Sequence, residues 1–119
     1  MSTYLERISA ALDDVRSRKW IASNKILMRR VDDIVDRTIE LNPDVQDPAA
    51  EESTYKSIRG FIPEVLDAYN DSTNIDKREV IRVVLAMHNA EHAMNQYMHH
   101  MTEQDRENRR WFKTLFVKP

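Results

Sequence analysis

The sequence predicts an all-α protein, a four- to five-helix antiparallel bundle with a long central helix at about residues 75–101. Two observations predict this fold. Apolar residues recur at intervals of three and four through most of the chain, which is the spacing of one face of a helix. Residues that favour helix starts and ends separate these stretches, and no independent strand pattern is found. With 119 residues, the chain is expected to form a single domain, residues 1–119.

The first helix is expected from Thr3 to about Lys19, because Thr3 and the glutamate three residues later fit a capping box. Ser23 or Asn24 is a suitable N-cap for the second helix. That helix should end before residues 42–43, since the Asn that precedes the Pro avoids the α region.

A third helix is predicted after the loop at 42–48, with Asp47 as its N-cap and Pro48 at its first position. Gly60 and Pro63 interrupt its apolar pattern. Because proline removes a backbone donor and clashes with the preceding turn, we expect a kink or a short break there.

The fourth helix is the longest, and its first half is apolar nearly all round at residues 80–87. We therefore expect it to be the most buried element of the bundle. A final helix could begin at Thr102 with Asp105, or the fourth helix could continue. In either case residues 103–117 form a candidate C-terminal interaction helix.

The composition excludes most familiar catalytic chemistries. The chain has no cysteine and one glycine, which excludes disulfides, thiol nucleophiles, Cys-based metal sites and Gly-rich phosphate loops. Neighbouring acidic residues such as Asp13 and Asp14 point about 100° apart on a helix and cannot act together as acid and base. We expect no cofactor, and the composition favours a non-catalytic function over an enzyme without deciding between them.

All four histidines lie within a short part of the fourth helix. His88, His92 and His99 share one stripe of that helix. Imidazoles one helical turn apart can chelate a divalent ion, so this stripe is an alternative metal site. The other interpretation is a row of surface or half-buried histidines that continues the line of Ile81 and Leu85.

Arg82 and His88 have the R-x5-H spacing, which is similar to that of HEPN-type ribonucleases, small all-α domains that often dimerise. The resemblance covers these two residues only, and Val83 stands where that family tends to carry a polar residue. It implies metal-independent RNA cleavage, in which the arginine would clamp the phosphate and the histidine would move a proton. The other interpretation of Arg82 is a surface residue at the start of a buried helix.

Charge is distributed as basic, acidic and basic segments. Residues 16–30 carry a net charge of +6, residues 31–103 carry −9 and residues 104–119 carry +3. The first segment could contact nucleic acid or an acidic partner through its six cations and one tryptophan: Arg16, Arg18, Lys19, Trp20, Lys25, Arg29 and Arg30. The alternative is a basic face that pairs with acids of the same protein or of its partner.

The C-terminal stretch combines large apolar and cationic residues, as protein interfaces do. The predicted partner-binding residues are Arg109, Arg110, Trp111, Phe112, Leu115 and Phe116. They could also pack on the chain's own core.

Four methionines of the fourth helix could fill either the chain's own core or a seam between two copies of the chain: Met87, Met94, Met98 and Met101.

These features together indicate a small non-catalytic adaptor, inhibitor or regulator that acts through protein contacts. We expect a protein partner and a homodimer. No apolar run approaches a membrane span, and the N-terminus has no apolar leader, so we expect a cytoplasmic protein. The alternative function is nucleic-acid-directed, either binding through residues 16–30 or RNA cleavage through Arg82 and His88.

Overall fold

A computed structural model describes residues 3–72 and 74–117, with side chains for residues 3–72 and 74–103. Its elements are all helices, in the order α1 Thr3–Ser17, α2 Lys19–Ala22, α3 Lys25–Glu40, α4 Pro48–Asn70 and α5 Lys77–Val117. The predicted all-α class is thus confirmed for the described part of the chain.

Short-range polar contacts define where the helices begin. The Asn24 side chain accepts hydrogen bonds from the amides of Ile26 and Leu27, both at 3.1 Å, and so caps α3. The Asp47 carboxylate accepts from the Ala50 amide at 3.2 Å and caps α4, with proline at the first position. Both predicted caps are confirmed.

The four long helices form an antiparallel ring. Helix α1 packs on α3 and α5, and α4 packs on the same two helices. The connections are short, so successive helices must run in opposite directions. Arg7 near the start of α1 bonds to Gln96 near the middle of α5, whereas Arg18 after α1 bonds to Glu79 at the start of α5. The predicted antiparallel bundle is confirmed.

The core is one contiguous cluster that all four long helices share. Its fully buried members include Ile8, Ile34, Phe61 and Met87. Three of the four methionines considered above are buried, and Met98 is partly buried against the same core. These side chains therefore fill the chain's own interior rather than a groove.

One expectation needs correction: helix α4 runs without a break through Pro63, because proline removes only one backbone hydrogen bond and the rest of the helix stays packed on two neighbours. Helix α5 continues past Thr102, which is one of the two alternatives that the sequence allowed. Among the described residues it holds more buried hydrophobic side chains than any other helix, as expected, although Ile81 and Leu85 are exposed. No helix among the described residues is both long and apolar enough to cross a membrane.

Candidate protein-binding surface

The cations of residues 16–30 are in part neutralised by acids of the same chain. Arg16 of α1 lies 3.2 Å from the Asp32 carboxylate of α3. Arg30 of α3 lies 3.2 Å from the Glu64 carboxylate of α4. Both pairs link neighbouring helices, so these two arginines are engaged within the bundle rather than directed at an external polyanion.

Two further members of this segment are also engaged within the fold. Arg18 contacts both Asp14, at 3.1 Å, and Glu79, at 2.8 Å. The hydrogen bond with Glu79 is the main cause that raises the pKa of Arg18, so its charge is fixed. Trp20 is half-buried and packs against the core. Its ring is therefore not an open stacking platform.

The histidine stripe lies on the outward face of α5. His88, His92 and His99 are all exposed, while His100 contacts the Tyr4 ring with centroids 5.9 Å apart. Across the described residues, no group of three or more His, Asp and Glu side chains is arranged to hold a metal ion. The metal hypothesis for this stripe gains no support from the geometry.

Arg82 and His88 are directed to different partners. The Arg82 guanidinium lies 3.2 Å from the Glu79 carboxylate, on the side of α5 that meets α1. The His88 ring lies 3.4 Å from the Glu91 carboxylate, on the side that meets α4. The structure therefore does not bring the two side chains together around a common point, as phosphate cleavage would require.

Glu91 is the centre of a small polar cluster between α4 and α5. Its carboxylate accepts a hydrogen bond from the Tyr55 hydroxyl at 3.4 Å and lies 3.9 Å from the Arg59 guanidinium. With His88, three side chains surround one carboxylate. The cluster links the two helices and fixes their register.

The residues predicted to bind a partner at the C-terminus belong to the last part of α5. Helix α5 includes their backbone as far as Val117. The side chains of Arg109, Arg110, Trp111, Phe112, Leu115 and Phe116 lie outside the described residues.

Exposed aliphatic side chains lie on α4 and α5. Leu66 of α4 is 42% exposed, and Ile81 and Leu85 of α5 are 48% and 57% exposed. We call these three residues the aliphatic strip. Partly buried Ile62 and Val84 pack against the core from the same two helices. Such a group of exposed aliphatic side chains is typical of a protein interaction site.

The sequence contained a usable signal for this strip. Residues 80–87 are apolar over more than one helix face, yet the described residues of α5 pack on two helices, α1 and α4. A helix in such a ring buries only part of its circumference, so an all-round apolar helix must expose some of these side chains. Periodicity alone does not reveal which ones.

Comparison of the chain with protein family models, with curated proteins and with solved structures gives no match in any of the three.

Proposed function

We propose that this chain is a small non-catalytic helical protein that binds another protein as an adaptor, inhibitor or regulator. The observation that supports the proposal is the aliphatic strip, in which three large side chains are exposed on two adjacent helices. Its three residues lie outside the core cluster and are not among the side chains packed against it. Its exposure is an energetic cost that a bound partner would remove, since burial stabilises by about 25 cal/mol per Å² of apolar surface.

The nucleic-acid alternative has less support. Within residues 16–30, Arg16, Arg18 and Arg30 are paired with carboxylates of the chain. Paired cations contribute less to phosphate binding, because the carboxylate must first be displaced. The cleavage alternative needs Arg82 and His88 to converge, and each is engaged with a different glutamate.

Two finer proposals accompany this function. We propose a homodimer formed through the C-terminal stretch, because it combines large apolar residues such as Trp111 and Phe112 with arginines, the residue types that dominate protein interfaces. We also propose that the protein acts in the cytoplasm, since no cysteine is available to form a disulfide.

The experiment that tests the binding function uses tagged full-length chain in cells, with mass spectrometry of co-purified proteins and nucleic acid. Leu85→Glu places a charge in the strip, and Ile39→Glu is the matched control, because Ile39 is 72% exposed on α3. We expect at least one protein to be lost with Leu85→Glu and retained with Ile39→Glu, and then to bind the purified chain directly. Tight, salt-dependent binding of RNA or DNA by purified chain, with no such protein, would overturn the proposal.

A further inference from the structure

Two of the four histidines lie next to each other on the outward face of α5. His88 and His92 are one helical turn apart, which places their Cβ atoms about 6 Å from each other. Both side chains are exposed. Two imidazoles at this spacing can bind one divalent ion together, because each zinc–nitrogen bond is about 2 Å long.

The Glu91 carboxylate orients one of the two rings. One of its oxygens lies 3.4 Å from Nδ1 of His88. The two nitrogens of an imidazole lie on different sides of the ring, so Nε2 of His88 faces away from Glu91 and is left for a metal. The carboxylate is itself held from α4, since the Tyr55 hydroxyl donates to it at 3.4 Å and the Arg59 guanidinium lies 3.9 Å away. A carboxylate behind a histidine is the arrangement that fixes the ring at metal sites.

One chain supplies only half of a tetrahedral site. Zinc in structural sites takes four protein ligands, and no group of three or more metal-binding side chains forms among the residues whose side chains are described. His99 of the same stripe lies two turns beyond His92 and takes no part. A two-fold axis beside α5 brings the same pair from a second copy, which completes four imidazoles around one ion.

The surface around the pair lets a second copy approach but does not hold it alone. Asn89 and Asn95 are exposed on either side of the histidines and carry no charge, and the charge of Glu91 is offset by Arg59. Like-charge repulsion between two copies is therefore small at this point. Amide side chains also offer little apolar area, whereas a stable dimer buries about 800 Å² per copy. Contact between copies here therefore depends on the metal.

We propose that His88 and His92 form a zinc half-site, which the same two residues of a second copy complete. Zinc then joins two copies of the chain through the outward face of α5. The inference goes beyond the proposed protein-binding function and does not depend on it, since the site uses no residue of the aliphatic strip.

The test is a zinc titration of the untagged, full-length chain after treatment with a chelator. We expect calorimetry to give one zinc ion per two chains, whether or not the C-terminal stretch already joins two copies. Sedimentation equilibrium should show self-association at least about tenfold tighter with zinc than with EDTA. Magnesium is the control ion and should have no effect, because it prefers oxygen ligands.

Variants locate the ion on the histidine pair. His88→Ala and His92→Ala should each lower the zinc affinity at least about tenfold and abolish the zinc-dependent association. His99→Ala is the matched control, exposed on the same face, and should leave both unchanged. Glu91→Gln should lower the affinity about tenfold and keep the stoichiometry. Tyr55→Phe alters the same cluster but keeps the carboxylate, and should change the affinity less than about threefold. Circular dichroism of each variant confirms that the bundle is folded.

Three outcomes would overturn the inference. A dissociation constant for zinc above about 1 mM would show that the pair is not a metal site. One zinc ion per chain, with no change in self-association, would show that a second copy does not complete the site. Zinc binding that survives both His88→Ala and His92→Ala would place the ion elsewhere. The proposed protein-binding function stands or falls separately, because its test uses Leu85→Glu and leaves the histidines intact.

Discussion

The guanidinium of Arg18 donates a hydrogen bond of 2.8 Å to the carboxylate of Glu79, and this contact joins the end of α1 to the first turn of α5. Arg18 is also the N-cap residue of α2, where its extended backbone ends one helix and begins the next. Its side chain is 21% exposed and that of Glu79 is 30% exposed. A pair this sheltered is screened less by water and salt than a surface pair.

We expect this pair to contribute measurable coupling to stability. Arg18→Ala and Glu79→Ala should each lower the free energy of unfolding by about 1–2 kcal/mol, and their coupling energy should be about 1 kcal/mol. The matched control is the exposed pair of Arg37 and Asp33, one helical turn apart on α3, for which we expect a coupling below about 0.5 kcal/mol. Urea denaturation of the single and double variants of each pair gives the two coupling energies. Equal coupling energies for the two pairs would contradict the prediction.

A second prediction concerns Tyr97, which is buried in α5 with 1% of its surface exposed. Its hydroxyl has no hydrogen-bond partner among the described residues. Burial, and then the negative charge of Glu51, raise the pKa of the Tyr97 phenol above its ordinary value. A raised pKa favours the neutral form in the folded state. The protonated phenol therefore makes its full contribution to the free energy of unfolding below the unfolded-state pKa of about 10. This contribution is lost as the pH rises through the pKa of the folded state.

Tyr97→Phe tests this linkage. Near pH 7 the variant should be as stable as the wild type or up to about 1 kcal/mol more stable, because an unpaired buried hydroxyl is removed. Above about pH 10 the wild type should lose stability faster than the variant, with an extra slope of at most about 1.4 kcal/mol per pH unit. The measurement is urea denaturation of both proteins at several pH values. If the free energy of unfolding changed with pH in the same way for the two proteins, Tyr97 would not be buried as a neutral phenol.

A third prediction concerns the start of α4, where Glu51 completes the cap. The Asp47 amide donates a hydrogen bond of 2.9 Å to the Glu51 carboxylate, while the Asp47 carboxylate accepts from the Ala50 amide. The Asp47 cap was predictable from the sequence, but the hydrogen bond to Glu51 was not, because Glu51 is one residue beyond the usual capping-box position. Glu51 is also buried.

Substitutions separate the two halves of this cap. Asp47→Ala should lower the free energy of unfolding by about 1 kcal/mol. Glu51→Ala should cost about 1–2 kcal/mol, since it leaves a donor without its partner and removes buried side-chain atoms. Glu51→Gln keeps an oxygen acceptor and should cost less than Glu51→Ala. Thermal denaturation compares the three variants, and an equal loss for the two Glu51 variants would show that the hydrogen bond is not the stabilising element.

Caps and helix ends were predictable because they depend on a few neighbouring residues. Asn24 and Asp47 act within three positions of the side chain, and a proline constrains only its own turn. The sequence therefore predicted the bundle and most of its boundaries.

The contacts between helices were not predictable in the same way. The pairing of Arg16 with Asp32 depends on how α1 and α3 pack together, which no local pattern encodes. The exposure of Ile81 and Leu85 depends on which sector of α5 its two neighbours cover. The charge of residues 16–30 allowed either an external partner or acids of the same chain, and tertiary packing supplies such acids for Arg16, Arg18 and Arg30.

The last prediction concerns Gly60, which lies in the interior of α4 and is exposed on the side of the groove between α3 and α4. A methyl group placed on its Cα would have no atom from elsewhere in the fold within 4 Å, and its φ is not positive. No steric or conformational reason therefore requires glycine. Gly60→Ala should raise the free energy of unfolding by about 0.5–1 kcal/mol, because alanine loses less backbone entropy in a helix. Ser57→Ala, three positions earlier beside the same groove, is the control, with an expected change of no more than about 0.5 kcal/mol. Chemical denaturation measures both, and a loss of stability in Gly60→Ala would mean that the groove is filled or that the helix bends at this residue.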